Sequence, residues 1–176
     1  MRPRHLALLF LPLLAAACGG GSGVTDANAN DALVRFDYGG AANGSVTARD
    51  AGGSAAGSSW ARATEAGGKL TIEAGAKMQD GTYTIVELGV EQWRKAETVL
   101  LDSTTPCGTG LPCATGSVSV AAVSQSMDSG VRYVFISGAV RFTRTTGGRA
   151  QGTFAGTTSG FVGKMQVNGT FDLPVR

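Results

Sequence analysis

Apolar and polar residues alternate along the C-terminal stretch. Met165, Val167, Gly169, Phe171, Leu173 and Val175 hold one parity; Lys164, Gln166, Asn168, Thr170, Asp172 and Pro174 hold the other. Successive side chains of a strand point to opposite faces, so this segment predicts a strand with one buried and one wetted face. A helix would scatter the same apolar residues around its circumference. Leu70, Ile72 and Ala74 alternate with Lys69, Thr71 and Glu73, Val118 and Val120 with Ser117 and Ser119, and Val140 and Phe142 with Arg141 and Thr143. Tyr133-Val134-Phe135-Ile136 is a continuous β-prone run, which predicts a strand buried on both faces, and Gly138 marks a bulge or bend after it.

Further strands are expected near 33–38, 44–49, 58–64, 82–90, 97–102 and 151–157, and one helical turn over 90–97. Thr146-Gly147-Gly148-Arg149 reads as a hairpin turn joining 139–145 to 151–157. Gaps this short leave no room for crossover helices, so the pairing is antiparallel. About ten short strands separated by Gly, Ser, Asn and Asp clusters predict an all-β domain, a single antiparallel β-sandwich or closed β-barrel. Aromatic residues in phase with Val, Ile and Leu are expected in its core.

The first residues obey a different pattern. Arg2 and Arg4 precede a twelve-residue apolar run, Leu6 to Ala17. A membrane-spanning helix needs about 20 residues, whereas a run this short suits the core of a secretory signal. It ends in Ala15-Ala16-Ala17-Cys18, which resembles the lipobox of bacterial lipoprotein signal peptides. The resemblance implies cleavage before Cys18 and lipidation of its sulfur, and Gly19 in the next position implies sorting to the outer membrane, lipid-anchored. Ala15 stands where the family more often has Leu. Residues 19–31 are Gly, Ser, Asn, Ala and Asp without apolar period, a flexible linker with an r.m.s. span of about 20 Å. The organisation is then a signal peptide over 1–17, a lipidated Cys and linker over 18–31, and one domain over 32–176.

Processing changes the charge. The chain carries 15 basic and 13 acidic residues, and loss of Arg2 and Arg4 leaves 13 of each. No basic block remains, so the electrostatic footprint of a nucleic-acid binder is lacking. The single histidine, His5, lies in the signal sequence. Its removal takes with it Ser-His-Asp and Cys-His catalysis and His-ligated metal sites.

What chemistry is left is sparse. Cys107 and Cys113, enclosing five residues with Gly and Pro among them, read as a disulfide clamping a loop of an exported protein. Asp26, Asn28, Asn30 and Asp31 resemble the start of a Ca²⁺ loop, but the sixth position is not Gly and the twelfth is Asp37 rather than Glu. They read as linker, and no metal or other cofactor is expected. The carboxylates are scattered, so glycoside hydrolysis by a carboxylate pair ranks as a minor alternative. Trp60 and Trp93 stand among polar residues and are the candidate ligand contacts, able to stack on sugar rings. Asn43-Gly44-Ser45 and Asn168-Gly169-Thr170 have the form of glycosylation sequons but read as turn and bulge chemistry.

Val134-Phe135-Ile136-Ser137-Gly138-Ala139-Val140-Arg141-Phe142, Gly152-Thr153-Phe154 and Val167-Asn168-Gly169-Thr170-Phe171 complete the picture. Together they resemble the C-terminal pattern of bacterial envelope lipoproteins with a small calycin-like antiparallel β domain, over about a quarter of the chain. The resemblance implies an envelope β domain and brings no catalytic residues. The expected function is a lipid-anchored, non-enzymatic binding or structural module whose partner is an envelope protein, a glycan or a small apolar ligand. The alternative is a small β-barrel carrier of an apolar ligand, which a hollow interior would favour.

Overall fold

Among the described residues, alternation at period two is realised as ten strands. The computed structural model describes residues 32–49, 59–79, 81–108, 111–121 and 130–176; Cys18 and Asp26–Asp31 lie outside them. The strands are β1 (Leu33–Gly40), β2 (Gly44–Arg49), β3 (Ser59–Ala66), β4 (Lys69–Lys77), β5 (Tyr83–Glu91), β6 (Thr98–Leu100), β7 (Cys113–Ala121), β8 (Gly130–Arg144), β9 (Arg149–Gly160) and β10 (Gly163–Pro174). They form one antiparallel sheet in the order β2-β1-β10-β9-β8-β7-β5-β4-β3, with β6 on β8.

Nine strands, each antiparallel to the next, leave the outermost two, β2 and β3, running the same way across an unpaired seam. The chain terminus closes that seam at one end. Val175 bridges Ala63 in parallel, Arg176 N–H donates to Ala63 O (3.1 Å), and Glu65 N–H to Arg176 O (2.9 Å). The result is a nearly closed barrel, which resolves sandwich against barrel. We call the end where residue 32 enters the near end, and the end of the Gly160–Gly163 turn the far end.

Inside, bulk and absence of bulk alternate. Gly152-Thr153-Phe154 pairs with Gly169-Thr170-Phe171 so that Phe154 faces Gly169 and Phe171 faces Gly152. A Cβ at Gly152 would stand 2.8 Å from Cζ of Phe171. Tyr133 covers Gly160 and Phe135 covers Gly156 in the same way. Each ring thus fills the space that a missing side chain on the next strand leaves open. On the other half of the wall the interior is lined by smaller chains: Ala61, Ala63, Leu70, Ile72, Ala74, Val86, Leu88 and Val118, all buried.

The β7–β8 pairing covers only Ser117–Ala121 against Gly130–Val134. Toward the near end the two strands part and β6 enters the gap. Thr98–Leu100 pair with Ala139–Arg141, while Asp102 N–H donates to Ala114 O at 2.9 Å. A bulge between Phe135 and Ser137, next to Gly138 at φ 154°, bends β8 where this happens. The Tyr133–Ile136 run is therefore not buried on both faces. Tyr133 and Phe135 point inward and are buried; Val134 and Ile136 face outward and are half-buried. β-Branched outward residues suit a strand whatever covers them, which is why the run misled. Residues 92–95 make one hydrogen-bonded turn, Lys95 N–H to Gln92 O at 2.9 Å, and no helix. Gly147 and Gly148, at φ 68° and 67°, form the expected β8–β9 turn. Asn43 closes the β1–β2 turn by accepting from Gly40 N–H at 3.0 Å, whereas Asn168 lies mid-strand opposite Asp37 and Ala155.

Candidate functional site

Among the described residues, the inward-facing apolar side chains form one buried cluster. Tyr38 on β1 and Thr84 on β5 hydrogen-bond through their hydroxyls at 3.1 Å, spanning the barrel between strands on opposite sides of it. At the near end Trp93 plugs the opening. Its ring is 1 % exposed and lies 5.6 Å from Phe142, which meets Phe171 edge-on at 5.6 Å. Trp93 is thus withdrawn from the ligand contacts expected of it. Its polar neighbours in sequence face solvent while the ring folds under them, because residues 92–95 turn across the barrel mouth.

Arg94 seals this plug from above. Its guanidinium carbon lies 4.3 Å from the Trp93 ring centroid; Nη2 bonds Glu65 Oε2 at 2.6 Å, and Nη1 donates to Thr145 O at 2.9 Å. The bond from Arg94 holds the Glu65 carboxyl below its ordinary value, and Glu65 in turn raises Arg94. The Trp93 indole N–H lies near enough to Glu65 to favour its charge without closing a hydrogen bond of ordinary geometry.

The second tryptophan is placed differently. Trp60 lies on the outer wall, flat over Gly75, where a Cβ would come within 2.6 Å of the indole. Its Nε1–H donates to Glu73 Oε1 at 3.1 Å, and Arg62 holds the other oxygen of Glu73 at 2.5 Å. Tyr83 stands 6.3 Å away at 43°, with Lys77 Nζ 6.0 Å from its centroid. Two half-buried aromatic rings rimmed by charged hydrogen-bonding groups form a small platform that can stack on a flat apolar face. Sequence reasoning singled out Trp60 but not Tyr83, which reaches it only through the β3–β4–β5 register.

Two further features lay beyond sequence reasoning. Phe161 and Val162 form the β9–β10 turn at the far end, 101 % and 55 % exposed. Between residues 94–97 and 142–145, at the near end, a cleft of about 230 Å³ is lined by Arg94, Lys95, Glu97, Thr143, Arg144 and Thr145.

Cys107 and Cys113 form the expected disulfide, their Cα atoms 5.7 Å apart. The Asp102 carboxylate just before it accepts from Thr104 O–H (2.6 Å), Thr104 N–H (2.8 Å) and Thr105 O–H (3.0 Å). These bonds, that of the Thr104 side chain foremost, lower its pKa. Among the carboxylates, Glu73 and Glu87 are direct cross-strand neighbours on the convex outer wall. Each is engaged by an arginine, Glu73 by Arg62 and Glu87 by Arg132 at 3.8 Å, and no cleft separates them. In comparisons with family models, curated proteins and solved structures, nothing matches the chain.

Proposed function

We propose that this protein is a lipid-anchored component of the bacterial cell envelope, moored to the outer membrane through Cys18. Its β domain acts as a non-enzymatic binding or structural module that works through its outer surface. One observation carries the choice between module and carrier: among the described residues, Tyr38 is bonded to Thr84 across the barrel interior and Trp93 closes its near-end mouth. A carrier needs a dry cavity of several hundred Å³. The opening of about 540 Å³ floored by Val46 and Ala76 at the β2–β4 side of the seam is a surface cleft with Lys77 at its rim. The Trp60–Tyr83 platform, with Arg62, Glu73 and Lys77 around it, suits a glycan better than a wholly apolar molecule.

Native mass spectrometry of protein taken from membranes tests this. The expected species is the chain from Cys18 with acyl mass and nothing else bound. An apolar small molecule released only on unfolding would overturn the module in favour of the carrier. Unchanged membrane partition of Cys18→Ser, with no acyl mass on the parent, would remove the anchor.

A further inference from the structure

The near end has an imbalance of charge that the fold does not use. Glu65, Glu91 and Asp172 are each engaged by a cation, respectively Arg94, Lys69 and Arg149. Lys95, Arg144 and Arg49 have no carboxylate partner among the described residues. Two of these three line the rim cleft, and its one carboxylate is Glu97.

The cleft is built rather than accidental. Its two walls are joined by Phe142 N–H donating to Glu97 O (2.7 Å) and by Arg94 donating to Thr145 O (2.9 Å). Arg94 is held by Glu65 and by the Trp93 ring, so it fixes one wall of the cleft while its charge is met by Glu65. The Arg144 guanidinium lies over the β8–β9 turn, Nη2 3.2 Å from where a Cβ at Gly147 would be. Thr143 and Thr145 add hydroxyl donors. Arg144, Lys95 and two hydroxyls around one opening suit a compact oxyanion with several acceptor oxygens, which is the chemistry of a phosphate ester.

Position selects the source. Arg144 belongs to the cross-strand row Arg49–Leu33–Asp172–Gln151–Arg144, the row in which the domain begins. The linker from Cys18 therefore arrives at the same rim that carries the cleft. We propose that the cleft between residues 94–97 and 142–145 binds the phosphate of anionic lipid headgroups, seating the barrel near end down on its membrane. The orientation rests on the anchoring reading, whereas the cleft's chemistry does not.

The test uses the full chain carrying Cys18→Ser, so no acyl group contributes and the two readings fail separately. Co-sedimentation is measured with vesicles of phosphatidylcholine alone and of phosphatidylcholine mixed with phosphatidylglycerol. The uncleaved leader carries Arg2 and Arg4 and draws every variant alike toward anionic vesicles, so the cleft is read from the difference between the parent and the cleft variants. The expected result is tighter binding to the anionic vesicles, weakening with salt. Lys95→Gln and Arg144→Gln each reduce the difference about five-fold, the equivalent of about 1 kcal/mol per surface cation. Glu97→Gln increases it. Equal binding to both vesicle types, or a difference that both substitutions leave intact, overturns the proposal. Titration with inorganic phosphate separates the sources: saturable binding of phosphate while both substitutions leave the anionic preference intact assigns the cleft to a free phosphate and overturns the headgroup reading.

Discussion

Phe154 and Gly169 stand directly opposite each other on β9 and β10, and the ring occupies the volume that a side chain at 169 would need. Two residues further on, Phe171 and Gly152 repeat the arrangement with the strands exchanged. Gly169→Ala is therefore an overpacking change against a buried ring and a backbone carbonyl, that of Arg35, and costs about 1–3 kcal/mol. Denaturant midpoints check this. A Gly169→Ala variant as stable as the parent would mean the pair is not packed as described.

The two exposed residues at the opposite extreme give the contrast. Phe161 touches little of its own fold, so Phe161→Ser shifts stability by no more than about 0.5 kcal/mol. Phe154→Ala, by comparison, costs about 3–5 kcal/mol. A large loss at Phe161 would show that the turn is covered by another part of the chain.

Tryptophan emission separates the two rings without a ligand. Trp93 is buried beneath Arg94, and Trp60 is half-buried on the wall. Acrylamide is expected to quench the parent in two components, and Trp60→Phe to leave only the weakly quenched, blue-shifted one. Residual emission quenched as readily as free indole would place Trp93 at the surface.

Acid sensitivity follows from two carboxylates. Glu65 and Asp102 have folded-state pKa values below their ordinary 4.5 and 3.8, through Arg94 and Thr104 respectively. A depressed carboxylate stabilises the fold fully above its unfolded value, and that contribution is lost as pH falls through the folded one. Stability against denaturant should thus decline below about pH 4.5, with a shallower decline in Glu65→Gln. Identical pH profiles for the variant and the parent would deny Glu65 this role.

The disulfide closes a short loop at the near end. Constraining so small a ring contributes about 2 kcal/mol on the chain-entropy account. Reduction, or Cys107→Ala with Cys113→Ala, is expected to lower stability by that amount, and non-reducing mass spectrometry to find no free thiol at either position. Two alkylatable thiols in the native protein would contradict the bond.

Strand positions and facing were legible in sequence wherever alternation was strict, as over Met165–Leu173, because which way a side chain points depends only on its own backbone. The Gly-Thr-Phe tripeptides also stood out there. Their reciprocity did not, since it depends on the register between two strands. The same limit explains the tryptophans. Nothing in Gln92-Trp93-Arg94 distinguishes a ring turned under a barrel mouth from one lying on a wall, whereas Trp60 joins Tyr83 only once β4 lies between them.

The amino-acid order alone determined the all-β character, the antiparallel hairpins, the Cys107–Cys113 bridge and the parity of the core, all set by geometry close along the chain. Tertiary structure decided that the sheet curls until β3 meets Val175, that Tyr38 meets Thr84 across the barrel, and that Arg94 reaches Thr145 fifty-one positions away. Those outcomes depend on strand tilt and on how large and small side chains fit across a closed wall, quantities that no local stretch of residues contains.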